Sequence, residues 1–267
     1  MKTLSALIDD VESIVRAAGD EILEVYEQDF EVEHKEDELN SPLTEADKRS
    51  HDLIVSRLNK LTPEIPVISE ESSDNMAYEK RREFERFWLV DPLDGTKEFV
   101  KENGEFTVNV GLIEEETPIA GVVYVPVTGA LYKTAGEKAT AVLNDDAETI
   151  SVSTVSDSSQ ATAVCSRSHK DPKIEAVFEQ LNIADTQSRG SSLKICQVAE
   201  GKAEIYARYG PTWEWDTAAA DAVLRAAGGR VTEPDGTPLS YNKKSLKNSN
   251  GLVVSNGILH EQVVDAM

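Results

Sequence analysis

"WLVDPLDGTKEFV", residues 88–100, runs a β-rich apolar segment into two aspartates around a proline and then into Gly-Thr. Trp88, Leu89 and Val90 read as the buried end of a strand over 86–91. Pro92 has no N–H for a ladder, so the pattern predicts that regular pairing stops there and the chain turns. Such a turn aims Asp91 and Asp94 at one point and exposes the Leu93 carbonyl. Gly95 and Thr96 then open "GTKEFV", one helical turn whose first N–H groups lack an internal acceptor. Carboxylates this close repel each other unless a cation lies between them. Carboxylates, a carbonyl oxygen and phosphate are together the donor set of a hard cation such as Mg²⁺. Taken alone, the stretch is better accounted for as a plain acidic turn between strand and helix.

Upstream, "IPVIS" at 65–69 reads as another short strand, ending in Glu70 and Glu71. If the two strands lie side by side, Glu70 comes close to Asp91. Leu4, Leu7, Ile8, Val11, Ile14, Val15, Ala18, Ile22 and Val25 recur at helical spacing and predict a helix over 4–26. The polar stretch 27–47 reads as a loop or edge hairpin, from which Pro42 and Thr44 lead into a helix over 45–61. Asp47 falls in the first turn of that helix, where a surface acid favoured by the helix dipole is a sufficient account.

Downstream, residues 106–113, 119–126 and 130–134 look like a meander, with turns near Glu115-Glu116 and Thr128-Gly129. The second half alternates strand-like segments at 150–153, 161–165, 203–207, 229–232 and 252–255 with helices near 171–181, 191–200, 216–227 and 257–266. The Ser/Thr/Asp-rich stretch around 136–160 is the boundary candidate, dividing the chain into 1–148 and 149–267. Helices and strands mixed in both parts predict an α/β (α+β) fold of helix-covered sheets in two lobes, with a ligand site between them. Asp216 heads the helical run "WDTAAADAVLRAAGG", where a plain N-cap would also explain it.

Charge narrows the partners. With 49 acidic against 27 basic residues the net charge is -22, so nucleic acid and anionic membrane surfaces are repelled. Cys165 and Cys196 form no metal-spaced pair and fit a reducing compartment. The start "MKTLSALIDD" meets two aspartates before a signal-peptide core can form, and no apolar run reaches membrane-spanning length. The expectation is a cytoplasmic protein without an integral membrane segment. Peripheral contact with the cytoplasmic face of the inner membrane stays open, as does the choice between monomer and homodimer.

"WLVDPLDGTKEF", the "SEES" that contains Glu70, and "WDTAAADAVLRAAGG" together resemble the inositol monophosphatase superfamily of metal-dependent, lithium-sensitive phosphatases. The matched stretches lie in order from about residue 41 to 229. The resemblance implies a layered αβαβα fold, two or more Mg²⁺ ions, and hydrolysis of small phosphate monoesters. It implies Glu70, Asp91, the Leu93 carbonyl, Asp94 and Asp216 as metal ligands. Thr96 matches the threonine that orients the attacking water with Glu70 nearby, and Asp47 an acid that supports that water or a further metal. Gly95 and Thr96 would donate to phosphate.

Within the superfamily, "DGTKEF", "SRSHK" and "RGSSLKICQVAEG" resemble the 3'(2'),5'-bisphosphate nucleotidase branch. That resemblance implies Ser166, His169, Gly190 and Lys194 as nucleotide contacts, beside Asp216. It implies a substrate such as adenosine 3',5'-bisphosphate or its sulfated form, cleaved at the 3'-phosphate, and a role in recycling the by-product of sulfate assimilation. A substrate with two phosphates needs a cation away from the metals, and Lys194 can supply it. An exposed helix lysine, an unpartnered loop histidine and a strand-end surface arginine remain alternatives for Lys194, His169 and Arg208. Packing alone would justify Trp213 and Trp215, and Ala220 stands where the family commonly has glycine. An inositol or sugar phosphatase on the same scaffold is the close rival; a non-catalytic metal- or nucleotide-binding regulator is the rival of another kind.

Overall fold

The structure is a computed structural model that describes residues 2–28, 31–34, 42–72, 77–144, 146–168, 171–183 and 185–267. Helix α1 (Leu4–Tyr26) begins where the Thr3 hydroxyl accepts the Ala6 N–H at 3.3 Å, and its 3.6-residue apolar stripe is buried. Strands β1 (Val32–His34) and β2 (Pro42–Thr44) form an antiparallel pair leading into α2 (Glu45–Leu61). A seven-stranded sheet follows in sequence order: β3 (Val67–Ser69), β4 (Arg86–Asp94), β5 (Thr107–Glu114), β6 (Thr117–Tyr124), β7 (Leu131–Thr134), β8 (Ala139–Leu143) and β9 (Asp146–Ile150). Only β3 and β4 are parallel; the rest is a meander. The short helices α3 (Tyr78–Arg81) and α4 (Thr96–Val100) flank β4.

A second sheet has strand order β11-β10-β12-β16-β14, made by β10 (Thr162–Ser166), β11 (Asp185–Arg189), β12 (Ile205–Arg208), β14 (Arg230–Thr232) and β16 (Leu252–Ser255). Interleaved with these are α5 (Pro172–Gln180), α6 (Leu193–Ala199), the two-stranded pair β13 (Thr212–Trp213) and β15 (Lys247–Asn248), α7 (Glu214–Ala226) and α8 (His260–Ala266).

Side-chain alternation along the strands sets the layers. Trp88, Val90, Val110 and Leu112 pack with α1 and α2 on one face of the large sheet. Phe87, Leu89 and Val123 face α6 and α7, which on their other side meet Val164, Tyr206 and Val254 of the second sheet. Ala163, Ile205 and Val253 then face α5 and α8. The order helix–sheet–helix–sheet–helix is the αβαβα stack. Among the described residues no helix is long and apolar enough to cross a membrane.

Helix α7 lies unusually close to the large sheet because two cross-strand partners, Gly111 and Gly121, have no side chains. A Cβ on Gly121 would stand 2.4 Å from the Ala219 carbonyl oxygen, and one on Gly111 3.0 Å from the Ala219 nitrogen. The "AAADA" run is therefore the complement of a glycine pair, and the fit places Asp216 over the ends of β3 and β4.

Two expectations need correction. Strand β4 runs through Pro92 to Asp94, with a register shift between Asp91 and Asp94: the two aspartates pair with Asn109 and Thr107, one extra residue on the β4 side. The device is a bulge rather than a stop. The expected strand at 150–153 instead ends at Ile150, as β9 of the β8–β9 hairpin. Edge strand β11, "DTQSR", has no apolar alternation and its register is set by pairing to β10 alone.

Candidate active site

Glu70 and Asp91 meet because β3 and β4 run parallel in the register Val67–Trp88, Ile68–Leu89, Ser69–Val90, which continues as the Glu70 N–H bonds the Val90 carbonyl at 3.1 Å. Alternation from Ile68 and Leu89, both in the α7-facing core, directs both carboxylates to that side. Asp216, in the first turn of α7, comes down onto them. Carboxylate oxygens of Glu70, Asp91 and Asp216 lie within 4.8 Å of one another. Asp91 is buried and accepts the Leu93 N–H at 3.1 Å, which fixes the bulge. Asp94 lies beside this group, accepting the Ser192 N–H at 2.6 Å and the Asn109 amide at 3.3 Å.

Asp47 is 1 % exposed, so the surface-acid account of it fails. Its Oδ2 accepts from the Thr44 N–H (2.7 Å) and hydroxyl (2.6 Å), and its Oδ1 accepts the Thr96 hydroxyl at 3.2 Å. The Leu93 carbonyl stands 3.4 Å from the same hydroxyl. Thr96 thus hangs between Asp47 and the bulge. Gly95, the residue before α4, holds φ 93, and a Cβ there would crowd the Glu105 carbonyl and the Ser191 Cβ at 3.3 Å each.

Glu70, Asp91, Asp94 and Asp216 floor a cleft of about 200 Å³. Leu93, Gly95, Thr96, Ser166, Gly190 and Lys194 also line it, alongside Trp213 and Lys247. Lys194 is 7 % exposed, over the Tyr206 ring at 5.4 Å and donating to the Ser191 carbonyl, which removes the exposed-lysine account. Arg208 is not a free surface arginine either: it lines the cleft, with Nε on the Gly210 carbonyl at 2.9 Å. A second cavity of about 620 Å³, between α5 and the second sheet, shares Ser166, Arg208 and Pro211 with the cleft. His169 lies outside the described residues.

The electrostatics describe a site short of positive charge. Burial pushes the Asp94 carboxyl up to about 6; Lys194 and the Ser192 N–H oppose this, and Glu70 adds to it. Asp216 is driven well above the ordinary range by burial and then by Asp94 and Glu70, against the Trp213 N–H and Arg208. Oxygen donors converging from three elements, with Asp94 and Asp216 both disfavoured as anions, are the environment that a divalent cation relieves. The residues therefore fit a hard metal ion.

Sequence reasoning missed Lys247, which reaches the cleft through the Trp213–Lys247 cross-strand pair, with its Nζ 5.9 Å from the Trp213 ring. No motif surrounds it. Trp213 stacks on Trp215 with centroids 5.1 Å apart, so packing and cleft lining coexist there. Glu98 was also missed; it lines the cleft and accepts the Ser168 hydroxyl at 2.5 Å.

Comparison with known proteins agrees with this architecture. A model of the inositol monophosphatase family matches residues 4–267. The chain is 45 % identical over 251 residues to the 3'(2'),5'-bisphosphate nucleotidase CysQ of Escherichia coli strain K12, covering 93 % of this chain and 99 % of that protein. It is 39 % identical to the protein of the same name from Buchnera aphidicola, covering 90 % and 89 %. Among solved structures, CysQ from Bacteroides thetaiotaomicron, described as a bacterial member of the inositol monophosphatase family, superposes with TM-score 0.79 at 40 % identity over 94 % of this chain and 97 % of that one. An IMPase from Thermotoga maritima shares the fold at TM-score 0.81 and 23 % identity, over 97 % and 95 %.

Proposed function

The chain belongs to the inositol monophosphatase family, and on that footing we propose that it is a Mg²⁺-dependent 3'(2'),5'-bisphosphate nucleotidase. Water displaces the 3'-oxygen of adenosine 3',5'-bisphosphate from phosphorus, giving AMP and phosphate; the sulfated form of the nucleotide gives adenosine 5'-phosphosulfate by the same step. The role is recycling of the nucleotide left by sulfate assimilation. The observation that carries the reading is that the carboxylate cluster and a cationic wall share one cleft: Lys194 and Arg208 line it opposite no second metal-type cluster among the described residues.

Glu70, Asp91, the Leu93 carbonyl, Asp94 and Asp216 hold the metal in this reading. Bound Mg²⁺, two ions or more, supplies Lewis-acid neutralisation of the phosphate and acidifies the attacking water. Glu70 and the Thr96 hydroxyl orient that water, and Asp47 holds Thr96 in place through the 3.2 Å bond. Backbone N–H groups at Gly95 and Thr96 meet the scissile phosphate. Ser166, Gly190 and Lys194, with His169, receive the remainder of the nucleotide, and Arg208 adds a second cation for the phosphate that stays. The adjoining cavity offers room for a nucleoside where an inositol ring would leave space unused.

Phosphate release with Mg²⁺ from adenosine 3',5'-bisphosphate and from inositol 1-phosphate, each with and without lithium, tests this. Preference for the nucleotide with inhibition by lithium is expected. Preference for inositol phosphate would transfer the chain to the sugar-phosphatase reading, and no turnover of either would favour a non-catalytic role.

A further inference from the structure

Glu105 does not line the cleft, yet it ties together both strands whose ends form the nucleotide-facing wall. It lies between α4 and β5, in the half of the chain that carries Glu70 and Asp91. Its carboxylate accepts from Arg167 Nε and Nη2 at 2.8 Å each, and from the Gly190 N–H at 2.8 Å. Arg167 in turn donates from Nη2 to the Ser188 carbonyl at 3.1 Å and from its N–H to the Arg189 carbonyl at 3.1 Å. One carboxylate thus gathers the end of β10, where Ser166 sits, and the end of β11, which leads into Gly190.

The junction is closed sterically as well. A Cβ on Gly190 would stand 2.6 Å from the Glu105 carbonyl oxygen and 2.6 Å from Glu98 Cγ. Two residues on, the Ser192 N–H is held by Asp94, and between these ties Ser191 takes a left-handed φ of 46. Lys194 follows within one turn of α6. Burial raises the Glu105 carboxyl, but Arg167 and the Gly190 N–H outweigh it and hold the group below the ordinary carboxylate range.

We infer that Glu105 is a positioning residue for substrate specificity: through Arg167 and Gly190 it fixes the wall that receives the part of the nucleotide not being hydrolysed. This rests on the nucleotidase reading above. Glu105 bonds to Arg167 and Gly190 of the wall, so Ser166, Gly190 and Lys194 are displaced together if the tie is released. Losing it removes binding made equally in ground and transition states, which raises KM and leaves kcat in place.

The test compares wild type, E105A, E105Q and R167M on adenosine 3',5'-bisphosphate and on inositol 1-phosphate, with thermal midpoints recorded. E105A is expected to raise KM for the nucleotide about tenfold while kcat stays within about twofold, with both constants for inositol 1-phosphate unchanged. E105Q retains an acceptor for the Gly190 N–H and should lose less. R167M removes the ion pair to Glu105 and the bond to the Ser188 carbonyl while leaving the Gly190 N–H on Glu105, and it carries the test should E105A fail to fold. Equal losses on both substrates, a fall in kcat, or an unmoved nucleotide KM would overturn the inference. A wild type without preference for the nucleotide would instead overturn the nucleotidase reading, and this inference with it.

Discussion

Asp216 and Asp221 lie five residues apart on α7, and burial pushes both carboxyls up, yet their surroundings are opposites. Asp221 is 0 % exposed and supplied with partners by its own neighbourhood: Arg225, one turn on, at 2.7 and 3.1 Å, and the Tyr241 hydroxyl at 2.9 Å. Asp216 borders the cleft, accepts one backbone N–H at 2.8 Å, and has Asp94 and Glu70 as its strongest electrostatic neighbours. A structural acid is partnered within the chain. Asp216 is left facing other acids, a setting that a cation from outside would relieve.

The largest break in this comparison should come from Asp216→Asn. Activity should fall about 10³-fold or more, about 4 kcal/mol, while the metal-free thermal midpoint holds or rises because one anion has left the cluster. Mg²⁺ should raise the midpoint of wild type and not of the variant; an equal rise in both would place the metal elsewhere.

Asp221→Ala is the mirror experiment. It strands Arg225 and should cost about 3 kcal/mol in chemical denaturation, with kcat per folded molecule unchanged. A selective loss of activity would erase the distinction between the two aspartates.

Gly121→Ala sharpens it from the packing side. The new methyl meets the Ala219 backbone at 2.4 Å, so α7 must move, costing about 2 kcal/mol and weakening Mg²⁺ activation through Asp216. Stability lost without any change in metal activation would mean that the helix tilts about its N-terminus.

The smallest effect concerns a third buried titrating group, His260, between the Ser255 hydroxyl at 2.8 Å and the Thr232 hydroxyl at 3.0 Å. Burial, and then Arg230, pushes its pKa down to about 4. The fold therefore favours the neutral ring. That stability is whole above the unfolded value near 6.5 and is lost as pH falls through 4. The loss should be about 2 kcal/mol with solvent screening included, and H260Q should flatten it.

Much of this was legible in the sequence. The helices over 4–26 and 45–61 match α1 and α2 because long amphipathic periodicity fixes both type and length. The approach of Glu70 to Asp91 followed from two short strands ending alike. The β8–β9 hairpin and β11 were not legible, since β9 is largely exposed, β11 is polar, and β8 carries only a short apolar run, so neighbours set their pairing. Pro92 was read as a stop because proline's missing donor is a local fact, whereas a bulge depends on the partner strand. Lys247 reached the cleft through a two-residue ladder, and Glu105 meets Arg167, 62 residues later in the chain. Neither relation leaves a local mark.

The bare backbone contact of α7 on Gly111 and Gly121 also bears on how this scaffold can change over evolutionary time. Packing through side chains can drift by compensating substitutions, one methyl traded for another. Packing of backbone on backbone has nothing to trade, so the spacing of Asp216 from Glu70 and Asp91 is inherited as a unit. The wall of Ser166 and Lys194 hangs on hydrogen bonds and an ion pair, with a close backbone contact only where Gly190 meets the Glu105 carbonyl. Divergence in this architecture can therefore accumulate in what is recognised while the hydrolytic geometry stays the same.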